Sequence, residues 1–224
     1  MSQCYAVAKL GSTPWNIGNF SAVGALKVPG QIANILVGTN SASISKMVEI
    51  AAATTGLDYQ QVNELFAELI DLDISYMRKL RLDTQAALHF YYASGKEELP
   101  GIYSPPGGRL FLARFGVKTA GCGALRRMTP ETCELKRMYV RPEFRGKRIA
   151  WQLSQALIHG AREAGYIRMR LETTTYLEAA IALYSALGFR TCKPYYAVPD
   201  AFREITVFME LNLVKSDTEA APSG

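Results

Sequence analysis

The hexapeptide Arg145-Gly146-Lys147-Arg148-Ile149-Ala150 constrains this chain most, because it sits where a strand pattern gives way to a helix pattern. Upstream, Cys133 to Val140 reads CELKRMYV, with β-branched and aromatic residues among polar ones, which predicts a strand exposed at one edge and ended by Pro142. Downstream, Ile149, Ala150, Leu153, Ala156, Leu157, Ala161 and Ala164 form the apolar stripe of an amphipathic helix. The first turn of such a helix leaves backbone N–H groups without internal partners, and its dipole favours negative charge there. Gly146 lets backbone approach a ligand with no Cβ in the way, while Arg145, Lys147 and Arg148 add positive charge. The turn therefore suits a phosphate or pyrophosphate group.

From Lys136 to Arg170 there are nine Lys or Arg and two Glu, a local balance of +7 against +5 for the whole chain, so the basicity is focused on one segment. Focused positive charge attracts anions, whether a phosphorylated cofactor or nucleic acid. The segment lacks zinc-ligand spacing, an RRM-type aromatic motif and a long basic run, and its helix carries a full apolar face that must pack inside. No nucleic-acid partner is expected. Cys4, Cys122, Cys133 and Cys192 show neither CxxC nor paired Cys/His spacing, which argues against a zinc site and a disulfide framework; no metal is expected. With His89 and His159 as the two histidines, a hydrolytic triad has no sequence signature. No apolar run approaches the roughly 18 residues that span a bilayer, so a cytoplasmic protein without a membrane partner is expected.

Residues 1–43 contain no Asp or Glu and are rich in Gly, Ser, Ala and Asn, and they read as a weakly ordered extension before a single domain at 44–214; the polar tail from Lys215 reads as disordered. Within the domain, residues 44–51 predict a strand and residues 59–70 an amphipathic helix with Asp58 as N-cap, followed by a second helical region over about 74–92. Residues 99–108 predict a loop through their prolines and glycines, and 109–115 with 118–128 a hairpin-like pair around Gly116. Residues 167–173 then predict a strand, 177–187 a short helix and 205–211 a last strand, which together make a mixed α/β sheet.

Several segments in this order resemble the GNAT acetyltransferase superfamily over Gly121 to Leu211. RGKRIA is similar to its acetyl-CoA signature of Arg or Gln, x, x, Gly, x, then Gly or Ala; Arg145 and Ala150 match, and Arg148 stands where the family usually has its central glycine. GCGALRRM resembles the family's third strand, LKRMYVRPEFRG its fourth strand and turn, AAIALY followed by LGF its late helix, and ITVFMEL its last strand. The resemblance implies a centrally splayed β-sheet flanked by helices, with a parallel pair parting at the fourth and fifth strands. It also implies that acetyl-CoA lays its pantetheine arm along the backbone of Met138, Tyr139 and Val140 and its pyrophosphate on Arg145, Gly146, Lys147, Arg148, Ile149 and Ala150.

Tyr184 occupies the tyrosine of the late-helix motif, and the resemblance makes it the acid that protonates the leaving thiolate. Glu134, on the fourth strand, is the candidate base, with Glu172 on the fifth strand as its rival. Tyr103, Tyr195 and Tyr196 offer aromatic faces for the acceptor at the mouth of the cleft. The expected activity is acetyl transfer from acetyl-CoA to a primary amine of a small molecule such as an amino acid or amine metabolite, by a monomer or homodimer. Acetylation of a protein lysine or N-terminus is the alternative within enzymes, and a non-catalytic CoA-binding sensor or scaffold is the alternative outside them.

Overall fold

A computed structural model of the chain describes residues 47–92 and 98–214; the expectations for residues 1–43 and for the tail from Lys215 lie outside them. Seven strands form one sheet in the order β1-β2-β3-β4-β5-β7-β6. These are β1 (Val48–Ala52), β2 (Arg109–Phe115), β3 (Lys118–Arg127), β4 (Thr132–Val140), β5 (Arg168–Thr174), β6 (Arg190–Thr191) and β7 (Thr206–Asn212). All pairings are antiparallel except β4 with β5. The helices are α1 (Gly56–Lys79), α2 (Thr84–Tyr92), α3 (Ile149–Glu163), α4 (Glu178–Ala186) and α5 (Asp200–Arg203).

The sequence places the β2–β3 hairpin and α3 within a residue of their observed bounds, because turn glycines and a strong 3.6-residue apolar period mark them. Two expectations in the first helical region are corrected. Thr55, not Asp58, is the N-cap of α1: its Oγ accepts the Asp58 N–H at 3.1 Å, and Asp58 Oδ2 accepts the Thr55 N–H at 3.0 Å. In this reciprocal capping box the aspartate stands three residues inside the cap. Burial acts to raise the Asp58 pKa, but the Thr54 and Thr55 N–H groups and Arg114, 2.6 Å away, outweigh it and hold the carboxylate well below its usual range. Nor does one helix end near residue 70 and another begin at 74; α1 runs unbroken to Lys79, and the chain turns through Arg81 at φ 56° before α2.

The largest correction concerns β4. Its mixed polar pattern predicts a strand exposed at one edge, yet all nine residues are buried. The strand lies in the middle of the sheet, and its charged side chains are buried rather than turned to water, with Glu134 and Lys136 paired to each other. Against β3 the register runs Ala124↔Lys136 and then Cys122↔Tyr139, so β4 carries one extra residue. That β-bulge falls at Arg137, which holds φ 56°. Gly121 permits the close β3–β4 approach beyond it, since a Cβ there would lie 2.4 Å from the Tyr139 carbonyl oxygen.

On one side of the sheet α3 packs on β2, β3 and β4, and a Cβ added at Gly123 would fall 2.9 Å from Leu157 of that helix. Helix α1 packs against β3 and β4, with Glu68 ion-paired to Arg141 at 2.7 Å, just past the end of β4. Among the described residues, no helix is long and apolar enough to cross a membrane.

Candidate functional site

The parallel pairing of β4 with β5 lasts for three residue pairs, Thr132↔Arg168, Cys133↔Met169 and Glu134↔Arg170. Beyond them β5 stays with β7 as far as Thr174↔Thr206, while β4 stays with β3. The strands part there, and residues 135–140 present backbone N–H and C=O groups along an inner edge. Met138, Tyr139 and Val140 lie on this edge and lead straight into the basic turn.

The turn ends in an uncapped helix. Arg148 is the N-cap residue of α3 and makes no side-chain capping bond, unlike Thr55 at the start of α1. The first helical bond runs from the Gln152 N–H to the Arg148 carbonyl at 3.0 Å, so the amides of Ile149, Ala150 and Trp151 precede the ladder and remain for an outside acceptor. Gly146 holds φ 77°, and a Cβ there would meet nothing within 4 Å, which leaves its backbone open to a ligand. These features fit an anionic group such as a pyrophosphate. Arg145 is turned inward, with Nε donating to the Val140 carbonyl at 3.3 Å, and Lys147 lies over the Phe115 ring at 5.5 Å.

Arg148 adopts φ 60° and ψ 15°, the left-handed conformation that glycine takes without strain. The arginine keeps the turn geometry at a backbone cost of about 1 kcal/mol. Arg148→Gly is therefore expected to raise stability by up to about 1 kcal/mol in urea unfolding while leaving the turn competent. Destabilisation by the glycine would show that the arginine side chain outweighs the strain.

Beside the cleft lies a buried polar cluster. Glu134 is wholly buried: Oε2 accepts Arg126 Nε at 2.9 Å, Oε1 accepts the Tyr195 hydroxyl at 3.0 Å, and Lys136 Nζ sits 3.0 Å from Oε1, an ion pair short of hydrogen-bond alignment. Burial acts to raise its pKa, but Lys136 and Arg126 outweigh burial and hold it below the usual carboxylate range. Glu172 contrasts with it. It is also wholly buried, but neither carboxyl oxygen has a hydrogen-bond partner, and burial pushes its pKa up to about 7 against the opposing pull of Lys136. Asp73 of α1 completes the acidic set; it accepts the Tyr92 hydroxyl, and burial drives its pKa well upward.

Tyr184 of α4 is fully buried, with its ring 5.7 Å from Phe189 in an edge-on contact. Tyr195 and Tyr196 meet edge to face at 5.1 Å and both pack on Phe208, whose strand partner is Glu172; Arg170 lies 5.0 Å over the Tyr195 ring. These two tyrosines thus join Glu134 and the cluster. Tyr103 instead sits in the core, edge-on to Phe66 at 6.4 Å, whose ring lies under the Arg137 guanidinium. Sequence reasoning missed Arg126, Lys136, Arg137 and Asp73 as cluster members. The available signal was three charged residues, Glu134, Lys136 and Arg137, inside one short strand. Among the described residues, no group of three or more His, Cys, Asp or Glu could hold a metal ion.

The splayed strand pair and the uncapped turn are joined by sequence similarity. The model of the Acetyltransferase (GNAT) family matches residues 66–189, more than half of the chain. The chain belongs to this GNAT family. An uncharacterised N-acetyltransferase of Schizosaccharomyces pombe is 41% identical over 99 residues, which cover 43% of this chain and 61% of that one. Human N-acetylaspartate synthetase is 34% identical over 137 residues, 59% of this chain and 44% of that protein. The chain thus spans less than two thirds of the length of these curated relatives. In fold, the GNAT chain is similar to the YncA protein of Salmonella typhimurium, solved with acetyl-CoA, at a TM-score of 0.52 and 20% identity, with 78% of this chain and 99% of that one covered.

Proposed function

We propose that the chain is an acetyl-CoA-dependent N-acetyltransferase that passes the acetyl group directly to a primary amine of a small molecule. The observation that carries this reading is the inner edge of β4 leading into the uncapped start of α3. An amide-bearing arm fits the first, and a pyrophosphate fits the second. Backbone groups of Met138, Tyr139 and Val140 would hold the arm, and the amides of residues 146–151 the phosphates. Family membership and a relative solved with acetyl-CoA support the same donor. A small acceptor is supported by a relative whose name denotes N-acetylaspartate as product.

When bound, acetyl-CoA supplies a thioester, which an amine attacks without metal or covalent enzyme help. An alkyl ammonium has a pKa near 10, so a group of the protein must take its proton. Glu172 suits that task better than Glu134. A base must be free to accept a proton near neutral pH, and Glu172 combines open oxygens with a pKa of about 7. Glu134 is held ionised by two cations, and its role is to neutralise Arg126 and Lys136 and to seat Tyr195. Tyr184, enclosed on α4, is the proton donor to the sulfur as the C–S bond breaks.

Calorimetry with acetyl-CoA at low salt tests the donor assignment, with saturable one-to-one binding as the expected result. No detectable heat and no thermal stabilisation would sink it. A thiol-release screen against amines, amino acids and short peptides tests the activity. Binding without turnover of any acceptor would instead leave a CoA-binding scaffold.

A further inference from the structure

One buried cation in the cluster has no counter-charge. Arg137 is 2% exposed, and its Nε and Nη1 have no hydrogen-bond partner. Its guanidinium lies 5.2 Å from the Phe66 ring centre and 5.1 Å from that of Tyr92, ring contacts that leave those two nitrogens without a hydrogen-bond acceptor. Glu134, the fully ionised acid nearby, is already shared by Arg126, Lys136 and Tyr195. Asp73 has one oxygen taken by Tyr92, and burial favours its neutral form. A desolvated guanidinium with open donors is costly, and native proteins keep one where something else completes it.

The backbone is built to aim this residue. Without the bulge, side chains along β4 would alternate, and Arg137 would point to the side opposite Lys136. The extra residue, with Arg137 at φ 56°, sets Arg137 against Phe66 of α1 and Tyr92 of α2, within electrostatic reach of Asp73. A non-glycine residue held in that conformation is strain retained for a purpose. Asp73 lies within electrostatic reach of both Arg137 and Glu172 and so links the orphan cation to the open carboxyl.

We infer that the acceptor amine also carries a carboxylate, and that the Arg137 guanidinium binds it. This inference rests on the transferase reading above and names its substrate class. A carboxylate matches the planar fork of an arginine through paired hydrogen bonds and cancels the charge that the cluster leaves over. An acceptor anchored there extends its amine toward Glu172. Arg137 is 2% exposed, so the acceptor reaches it only when neighbouring side chains move.

The test pairs each amino acid with its carboxamide and with the amine lacking the carboxyl carbon, measured by thiol release with acetyl-CoA. The acids are expected to exceed both partners in kcat/KM by about 100-fold. Arg137→Met, which keeps the apolar stem over the rings, is expected to raise KM for the acids by about 100-fold, with kcat, acetyl-CoA affinity and turnover of the carboxamides within a few-fold of wild type. Its melting temperature should match or exceed that of the wild type, because an unpaired buried charge is gone. A second arm needs no turnover: the amino acids that serve best should raise the melting temperature of the wild type with CoA present, and fail to do so for Arg137→Met. Equal use of acids and carboxamides, or equal losses on both in the variant, overturns the carboxylate site while leaving the transferase standing. Amino-acid binding that depends on Arg137 without acetylation overturns the transferase and keeps the site. Neither binding nor acetylation overturns both.

Discussion

Glu172→Gln is expected to lower kcat by about 10²- to 10⁴-fold while leaving acetyl-CoA affinity within a few-fold of wild type. The amide keeps the size of the carboxyl but cannot accept the ammonium proton. Wild-type turnover should rise with pH through about 7, as Glu172 ionises, and the residual rate of the variant should lose that limb. An unchanged kcat, or an unchanged pH profile, would remove Glu172 as the base.

The same substitution has an opposite effect on stability, with a defined sign. Below the ordinary glutamate value of 4.5 the carboxyl is protonated in both folded and unfolded chains, and it makes no difference. As pH rises, the unfolded chain ionises first, while the folded one resists until about 7, so stability drains away between those values. Above that window the wild type has lost about 3 kcal/mol that a neutral side chain would keep. Glu172→Gln should therefore raise the unfolding free energy at pH 8 and leave it nearly unchanged at pH 4, measured by urea titration. A gain in stability with a loss of turnover is the signature of a group kept for chemistry at the expense of the fold.

Tyr184→Phe should lower kcat by about 100-fold with acetyl-CoA affinity preserved. The ring stays against Phe189, so the substitution removes the hydroxyl alone. Thiolates are fair leaving groups, and the loss should shrink as pH rises toward the pKa of the leaving thiol, where protonation of sulfur matters less. A mutant as fast as wild type would make Tyr184 a packing residue alone.

Much of the frame was legible because its signals are local. The period of α3, the turn at Gly116 and the basic hexapeptide each lie within a dozen residues. What escaped depends on neighbours far along the chain. CELKRMYV reads as half-exposed because nothing local says that Glu134 meets Arg126 and Tyr195, or that Arg137 slips between Phe66 and Tyr92. The bulge at Arg137 escaped for a related reason: glycine ordinarily marks such a position, and here an arginine takes it. Glu134 and Glu172 look alike in sequence. Their separation into a locked ion and a titratable acid is written in which cations reach each of them.

The gap between β4 and β5 also differs in kind from the margin of an ordinary sheet. An open strand at a margin accepts any other strand that arrives and so invites fibres. This one lies in the interior, walled by β5 on the far side and closed at its base by the three-pair seam. An edge enclosed on both sides by its own sheet is out of reach of the margin of a second sheet. The fold thereby keeps an unpaired strand edge without offering it at a margin of the sheet, where other chains would join it.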